Sequence, residues 1–134
     1  DWSSDVCSSD LDVAHNQEGL EGFLKTFNKQ GYKKRKILIL GFEHNKQIKT
    51  VVQKFKFVFD QIICTETNIR RSMSAQQIFN MANSKNALII KDANKALKHA
   101  INKSDIDTVI SIVGSHYFAP YINNYYQNCF AIDK

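Results

Sequence analysis

Four short runs of the chain are almost wholly apolar and rich in β-branched residues: 36–41, 58–64, 86–90 and 108–113. Each is the length of a strand, and unbroken apolar character suits a strand buried on both faces. Between these runs the apolar positions change period. At 18–29, 45–55, 75–84, 92–102 and 117–127 they recur at helical spacing, as with Ile48, Val51, Val52 and Phe55, or Ala96, Leu97, Ala100 and Ile101. Strand-sized runs alternating with amphipathic segments predict an α/β domain with a mainly parallel sheet and crossover helices. Ser74 and Asp92 stand where helix N-caps are expected, each offering a short side-chain oxygen to the unpaired amides of a first turn. A last apolar piece, 129–132, reads as an edge strand, and Pro120 lies near the start of the final helix.

Composition narrows the class. With 134 residues, 43% hydrophobic and 23% charged, the chain has the make-up of one soluble globular domain with one core. At this size about two-thirds of the unfolded surface is buried on folding, so no disulfide or metal staple is needed. The apolar runs fall far short of the roughly 20 residues a membrane-spanning helix requires, and no membrane partner is expected. Three cysteines without a CxxC pair, and four histidines, argue against a disulfide framework and a structural zinc site and fit a reducing, cytoplasmic setting. Cys64 and Cys129 read as small apolar packing residues, and His44 and His99 as isolated surface residues.

Residues 1–11 (DWSSDVCSSDL) carry serines and aspartates without periodicity. The string resembles the translation of a short-read sequencing-library adapter and is set aside from fold reasoning, like a fusion scar. The domain is then 12–134. Loss of Asp1, Asp5 and Asp10 makes the remainder more basic than the formal +5 of the whole chain. The abrupt beginning at residue 12 suggests a truncated gene product.

Three stretches could carry chemistry. Residues 12–19 (DVAHNQEG) lie between the end of an upstream strand and the first helix, where ligands of open parallel sheets bind. The Asp12 carboxylate can accept from ribose hydroxyls, and the His15 imidazole can donate toward a phosphate or ring nitrogen. The same two residues could equally cap the helix and close the loop. Residues 64–74 (CTETNIRRSMS) run from a strand end into a helix, and Arg70 and Arg71 could clamp a carboxylate or phosphate there. The competing reading is a solvated loop with Ser74 as cap. In 113–118 (VGSHYF), Gly114 allows close backbone approach and Ser115 can cap the next helix, while His116 reads as structural. The basic run 33–36 reads as a solvated loop, because no aromatic platform or known nucleic-acid module surrounds it, and no nucleic-acid partner is expected. There is no GxxxxGK[ST] phosphate loop, so the chain by itself cannot hold a triphosphate in the usual way.

Taken in order, these stretches resemble the C-terminal domain of the folylpolyglutamate synthase/dihydrofolate synthase family, within the Mur ligase superfamily. Residues 11–19 (LDVAHNQEG) are similar to the family's LDGAHNPxG. Residues 39–42 with Ile48 and Lys49 are similar to its strand and (A/S)DKDI turn, and 59–66 (FDQIICTE) to its FDxVxxTE. Residues 69–72 (IRRS) are similar to PR(A/S), and 113–118 to TGSLYL. The sequence departs from the pattern at Val13 for glycine, Gln17 for proline, 45–47 (NKQ) for DKD and His116 for leucine. A side chain at Val13 would crowd the loop if that site needs a positive φ.

The resemblance implies a Rossmann-like three-layer α/β fold of the Mur ligase C-terminal type. It implies ATP-dependent amide formation, in which a folate or pteroate carboxylate is phosphorylated and the acyl phosphate is attacked by the amine of L-glutamate, with ATP and Mg²⁺ as cofactors. It assigns Asp12, His15 and Asn16 to nucleotide contact, and Arg71 and Ser115 to the cleft where glutamate enters. The phosphate loop, metal ligands and folate pocket would belong to an N-terminal ATPase domain of roughly 300 preceding residues. This fragment would then hold no catalytic residue and be silent alone, as part of a monomeric enzyme. Two other readings are a domain of another Mur-type amide ligase and a stand-alone Rossmann-like binding module.

Overall fold

The computed structural model describes residues 5–7, 17–31, 35–42, 48–66 and 72–113. The helix 117–127 and the edge strand 129–132 expected from sequence lie outside them, as does Pro120. Within them, the strands are β1 (Asp5–Cys7), β2 (Arg35–Leu40), β3 (Gln61–Glu66), β4 (Ala87–Asp92) and β5 (Thr108–Val113). The helices are α1 (Gln17–Gln30), α2 (Lys49–Val52), α3 (Ala75–Ala82) and α4 (Ala93–Asn102), with a 3₁₀ turn at Phe55–Phe57. The strands form one five-stranded sheet in the order β1-β5-β2-β3-β4, and every pairing is parallel.

Period two along each strand divides the core into two halves. Leu38, Leu40, Ile62, Cys64, Val109 and Val113 face one side, where they pack with Leu20, Phe23, Leu24 and Phe27 of α1, Val51 and Val52 of α2, and Ile78 and Ala82 of α3. Ile37, Ile39, Ile63, Ile110 and Ile112 face the other and pack with Ala93, Ala96, Leu97 and Ala100 of α4. This is the three-layer α/β arrangement that the sequence implies. The connections β2→β3→β4 step one way along the sheet. The next, β4→β5, steps back past β3 and β2, so a right-handed crossover must lie on the opposite face, where α4 is found.

The helix ends are set by local chemistry. Ser74 Oγ accepts from Gln77 N at 3.1 Å while Gln77 Oε1 accepts from Ser74 N at 3.0 Å, a reciprocal capping box. Asp92 Oδ1 accepts from Lys95 N at 3.0 Å. Both expected caps are therefore present. α1 ends at Gly31, whose φ of +61° is left-handed.

Three elements differ from the sequence expectation. Of the helix read over 45–55, residues 45–47 lie outside the described residues, and the rest holds the four residues of α2 followed by the 3₁₀ turn. The strand read from 58 starts at Gln61. Phe55 and Phe59 join Phe23 and Phe27 in an aromatic cluster, at centroid distances from 4.7 to 6.2 Å, and Phe59 N donates to Phe55 O at 2.9 Å, so the chain is still turning at Phe59 and is not yet extended. Asp60 then sets the start of the strand, its amide donating to Lys36 O and its Oδ2 accepting from Lys36 N, each at 2.8 Å. Third, β4 is only half-buried, because it lies at one edge of the sheet and is not enclosed between strands.

β1 falls within residues 1–11. Its pairing, Asp5 with Val109 through Cys7 with Ser111, is carried by backbone amides and carbonyls, which any extended segment can supply at a sheet edge. It occupies the place of the strand expected just upstream of Asp12.

Candidate functional site

Because all five strands are parallel, their carboxyl ends share one edge of the sheet, the position at which open α/β sheets bind ligands. At its middle lies the end of β2. Gly41 N donates to Val113 O at 3.2 Å, joining the ends of β2 and β5, and Phe42 O accepts from Met73 N at 2.7 Å, joining β2 to the segment that enters α3. Gly41, Phe42 and Met73 are buried. The edge is thus a braced platform of strand ends.

The residues assigned by resemblance, Asp12, His15, Asn16, Arg71 and Ser115, lie outside the described residues, as do Val13, Arg70, Gly114 and His116. What the structure gives is the frame that flanks them. Residues 8–16 are bounded by Cys7 of β1 and Gln17 of α1, 67–71 by Glu66 of β3 and Ser72, and 114 onward follows Val113 of β5. All three candidate stretches therefore leave the sheet at its carboxyl edge. Gly19, read from sequence as lying beside a helix start, is within the first turn of α1.

Glu66, which sequence reasoning did not single out, has a defined task here. Its Oε2 accepts from Ala75 N at 2.8 Å. The capping box already satisfies Ser74 N and Gln77 N, so Glu66 takes a first-turn amide that the local cap leaves unpaired. The sequence signal was a carboxylate at a strand end shortly before an S-x-x-Q box. Beside it, Thr65 is buried, and its hydroxyl donates to Lys91 O at 3.0 Å where the β3–β4 register shifts.

Elsewhere the polar groups serve structure. Arg35, in the basic run 33–36, donates from Nη1 to Lys103 O at 3.0 Å, and Arg35 and Lys36 belong to β2 instead of a loop. Lys33 and Lys34 lie outside the described residues. Lys54 and Glu21 form an exposed ion pair at 3.2 Å, which contributes little. His99, read as a surface residue, is half-buried with no partner for its Nε2 among the described residues. Cys64 is buried as expected, and burial pushes its thiol up to about 12. An open depression of about 430 Å³ is lined by Phe79, Asn80, Asn83, Ser84 and Lys85. It lies at the C-terminus of α3, which runs back to the amino edge of the sheet, away from the strand ends that flank the motifs. Among the described residues no cluster of three His, Cys, Asp or Glu side chains could hold a metal ion, and no helix is long and apolar enough to cross a membrane.

Comparison with known proteins places this arrangement. The family described as Mur ligase, glutamate ligase domain, matches residues 5–116. No curated protein matches the sequence. Among solved structures, E. coli FolC in complex with DHPP and ADP is similar over 91% of this chain and 28% of its own, at 18% identity and a TM-score of 0.73. The bifunctional folylpolyglutamate synthase/dihydrofolate synthase of Yersinia pestis, complexed with AMPPNP and Mn ion, is similar over 86% of this chain and 27% of its own, at 21% identity and a TM-score of 0.73. Mycobacterium tuberculosis folylpolyglutamate synthase, complexed with ADP and AMPPCP, is similar over 85% and 28% respectively, at 17% identity and a TM-score of 0.68. The chain spans less than a third of the length of each of these proteins, and at such identities the likeness is one of fold.

Proposed function

This chain belongs to the family of Mur ligase glutamate ligase domains, and on that footing we propose that it is the C-terminal domain of an ATP-dependent folylpolyglutamate/dihydrofolate synthase. The observation that carries the reading is the convergence of the three motif-bearing stretches on the carboxyl edge of one parallel sheet, in a fold shared with three such synthases. In the proposed reaction a folate or pteroate carboxylate takes the terminal phosphoryl group of ATP, and the amine of L-glutamate displaces phosphate from the acyl phosphate to form the amide. Mg²⁺ would screen the phosphate charges, held by the N-terminal domain along with the phosphate loop.

This domain's own residues would complete the site from the opposite wall. Asp12, His15 and Asn16 contact the nucleotide, so that closure of the two domains depends on ATP. Arg71, a planar fork suited to a carboxylate, and Ser115 line the cleft that receives glutamate. The domain is 12–134, it works in the cytoplasm within a monomeric enzyme, and alone it is silent.

The test is to resequence the gene across residue 12, express the restored protein and measure ADP release that depends on both glutamate and folate or dihydropteroate. Asp12→Ala and His15→Ala should each lower kcat/KM by about a hundredfold, as loss of a preorganised polar contact to a reacting phosphate does. An upstream sequence without a phosphate loop, together with no folate-dependent turnover, would overturn the proposal and leave a binding module.

A further inference from the structure

Phe57 is held out in water by the same turn that buries its neighbours. Phe55 and Phe59 are buried in the aromatic cluster, whereas Phe57 is 81% exposed. The backbone between them is fixed, with Phe57 N donating to Lys54 O at 3.1 Å and Val58 N to Phe55 O at 3.0 Å. The exposure therefore follows from rigid geometry, and a partner covering the ring would have little backbone order left to impose. Nor is the ring isolated. Lys56 Nζ lies 5.5 Å from its centre and also donates to Asn83 O at 3.1 Å, which joins the turn to the rim of the depression at the end of α3.

In that depression the half-buried Phe79 supplies apolar surface and Lys85 a second ammonium, and no acid lines it. Acceptors around it are already engaged. Asn80 Oδ1 accepts from Gln76 Nε2 at 3.0 Å, Ser84 Oγ from Asn86 N at 3.1 Å, and Ser84 O from Ala87 N at 3.3 Å. What this surface still offers is donors, positive charge and two phenyl rings.

We propose that Phe57, Lys56 and the depression form a docking surface for an acidic peptide segment with an apolar anchor. The anchor side chain enters the depression against Phe79, and the carboxylates flanking it meet Lys56 and Lys85. A second copy of this chain fits poorly, because a two-fold contact would set the same lysines against each other. Single-stranded nucleic acid would need a row of stacking rings, and Phe57 is the one large aromatic side chain exposed among the described residues. The depression opens at the amino edge of the sheet, away from the strand ends that flank the motifs, so the proposal stands or falls separately from the ligase reading.

Fluorescence anisotropy with fluorescein-labelled octapeptides EEELFEEE and KKKLFKKK, on the 134-residue chain and on the restored full-length protein, tests it. The acidic peptide should bind both forms with a Kd of about 10–100 μM that weakens severalfold as salt rises, and the basic peptide should not bind. Phe57→Ala and Lys85→Glu, both at exposed positions, should each raise Kd about tenfold or more at an unchanged melting temperature. No binding of the acidic peptide at millimolar concentration, or binding indifferent to both substitutions, overturns the proposal. Binding to the 134-residue chain but not to the restored protein overturns it in favour of a cover supplied by the rest of the polypeptide. Tighter, Phe57-dependent binding of oligothymidylate overturns it in favour of nucleic acid.

Discussion

Two phenylalanines two positions apart have opposite fates. Phe55 is fully buried among Phe23 and Phe59, whereas Phe57 is 81% exposed, with the Lys56 ammonium 5.5 Å from its ring centre. Phe55→Ala should therefore cost about 3–5 kcal/mol of stability and Phe57→Ala less than about 0.5, a contrast that urea unfolding of the two variants would check. Hydrophobicity alone cannot separate them. The 3₁₀ turn does, by rotating the two side chains apart. Cys64 makes a different point. With its thiol buried and its pKa raised to about 12 by desolvation, the reactive thiolate is scarce at pH 8, whereas a free cysteine near 8.5 would be substantially ionised. Labelling of Cys64 by a thiol reagent at pH 8 should thus be slow in the native protein and should accelerate with denaturant in step with unfolding. Rapid labelling under native conditions would contradict its position in the core.

At the scale of elements, what could be read from the sequence was whatever a local pattern decides. The boundaries of β5 and the caps at Ser74 and Asp92 follow from a β-branched run and from short oxygens before amphipathic turns. Asp92 ends β4 and caps α4 with no intervening loop, so Asp92→Ala should cost about 1 kcal/mol through loss of the cap, read as a lowered denaturation midpoint at unchanged slope. Asn83, which ends α3 at φ +49°, should accept glycine without loss, while Asn83→Val should cost about 1–2 kcal/mol because a β-branched side chain resists that conformation. Elements fixed by distant partners were not legible. The start of β3 at Gln61 is set by the Asp60 bracket to Lys36, which lies outside the local window. The bond from Glu66 to Ala75 was hidden for the same reason.

At the scale of the molecule, the parallel α/β class follows from the alternation of runs, while the strand order does not. Nothing local marks β5, the last described strand, as the partner of both β1 and β2. The candidate site was legible as motifs, Asp12, His15, Asn16, Arg71 and Ser115, and the structure adds the edge to which their stretches attach. The chain spans 28% or less of the synthases it resembles, and the proposed reading puts the other wall of the site on another domain. In the restored enzyme, ligand binding should therefore stabilise this domain against unfolding only when nucleotide is present, and thermal shifts with nucleotide and glutamate, singly and together, would check it.

The strand order also bears on biosynthesis. β5 occupies the slot between β1 and β2, so during translation the two earlier strands have no neighbour on their facing sides until the ribosome has passed Val113. Until then Ile37, Ile39 and Leu38 of β2 border an open seam instead of Ile110 and Ile112. A nascent chain paused before Thr108 would present that seam to chaperones or to another nascent chain, so the speed of synthesis through α4 would govern yield as much as the stability of the finished fold.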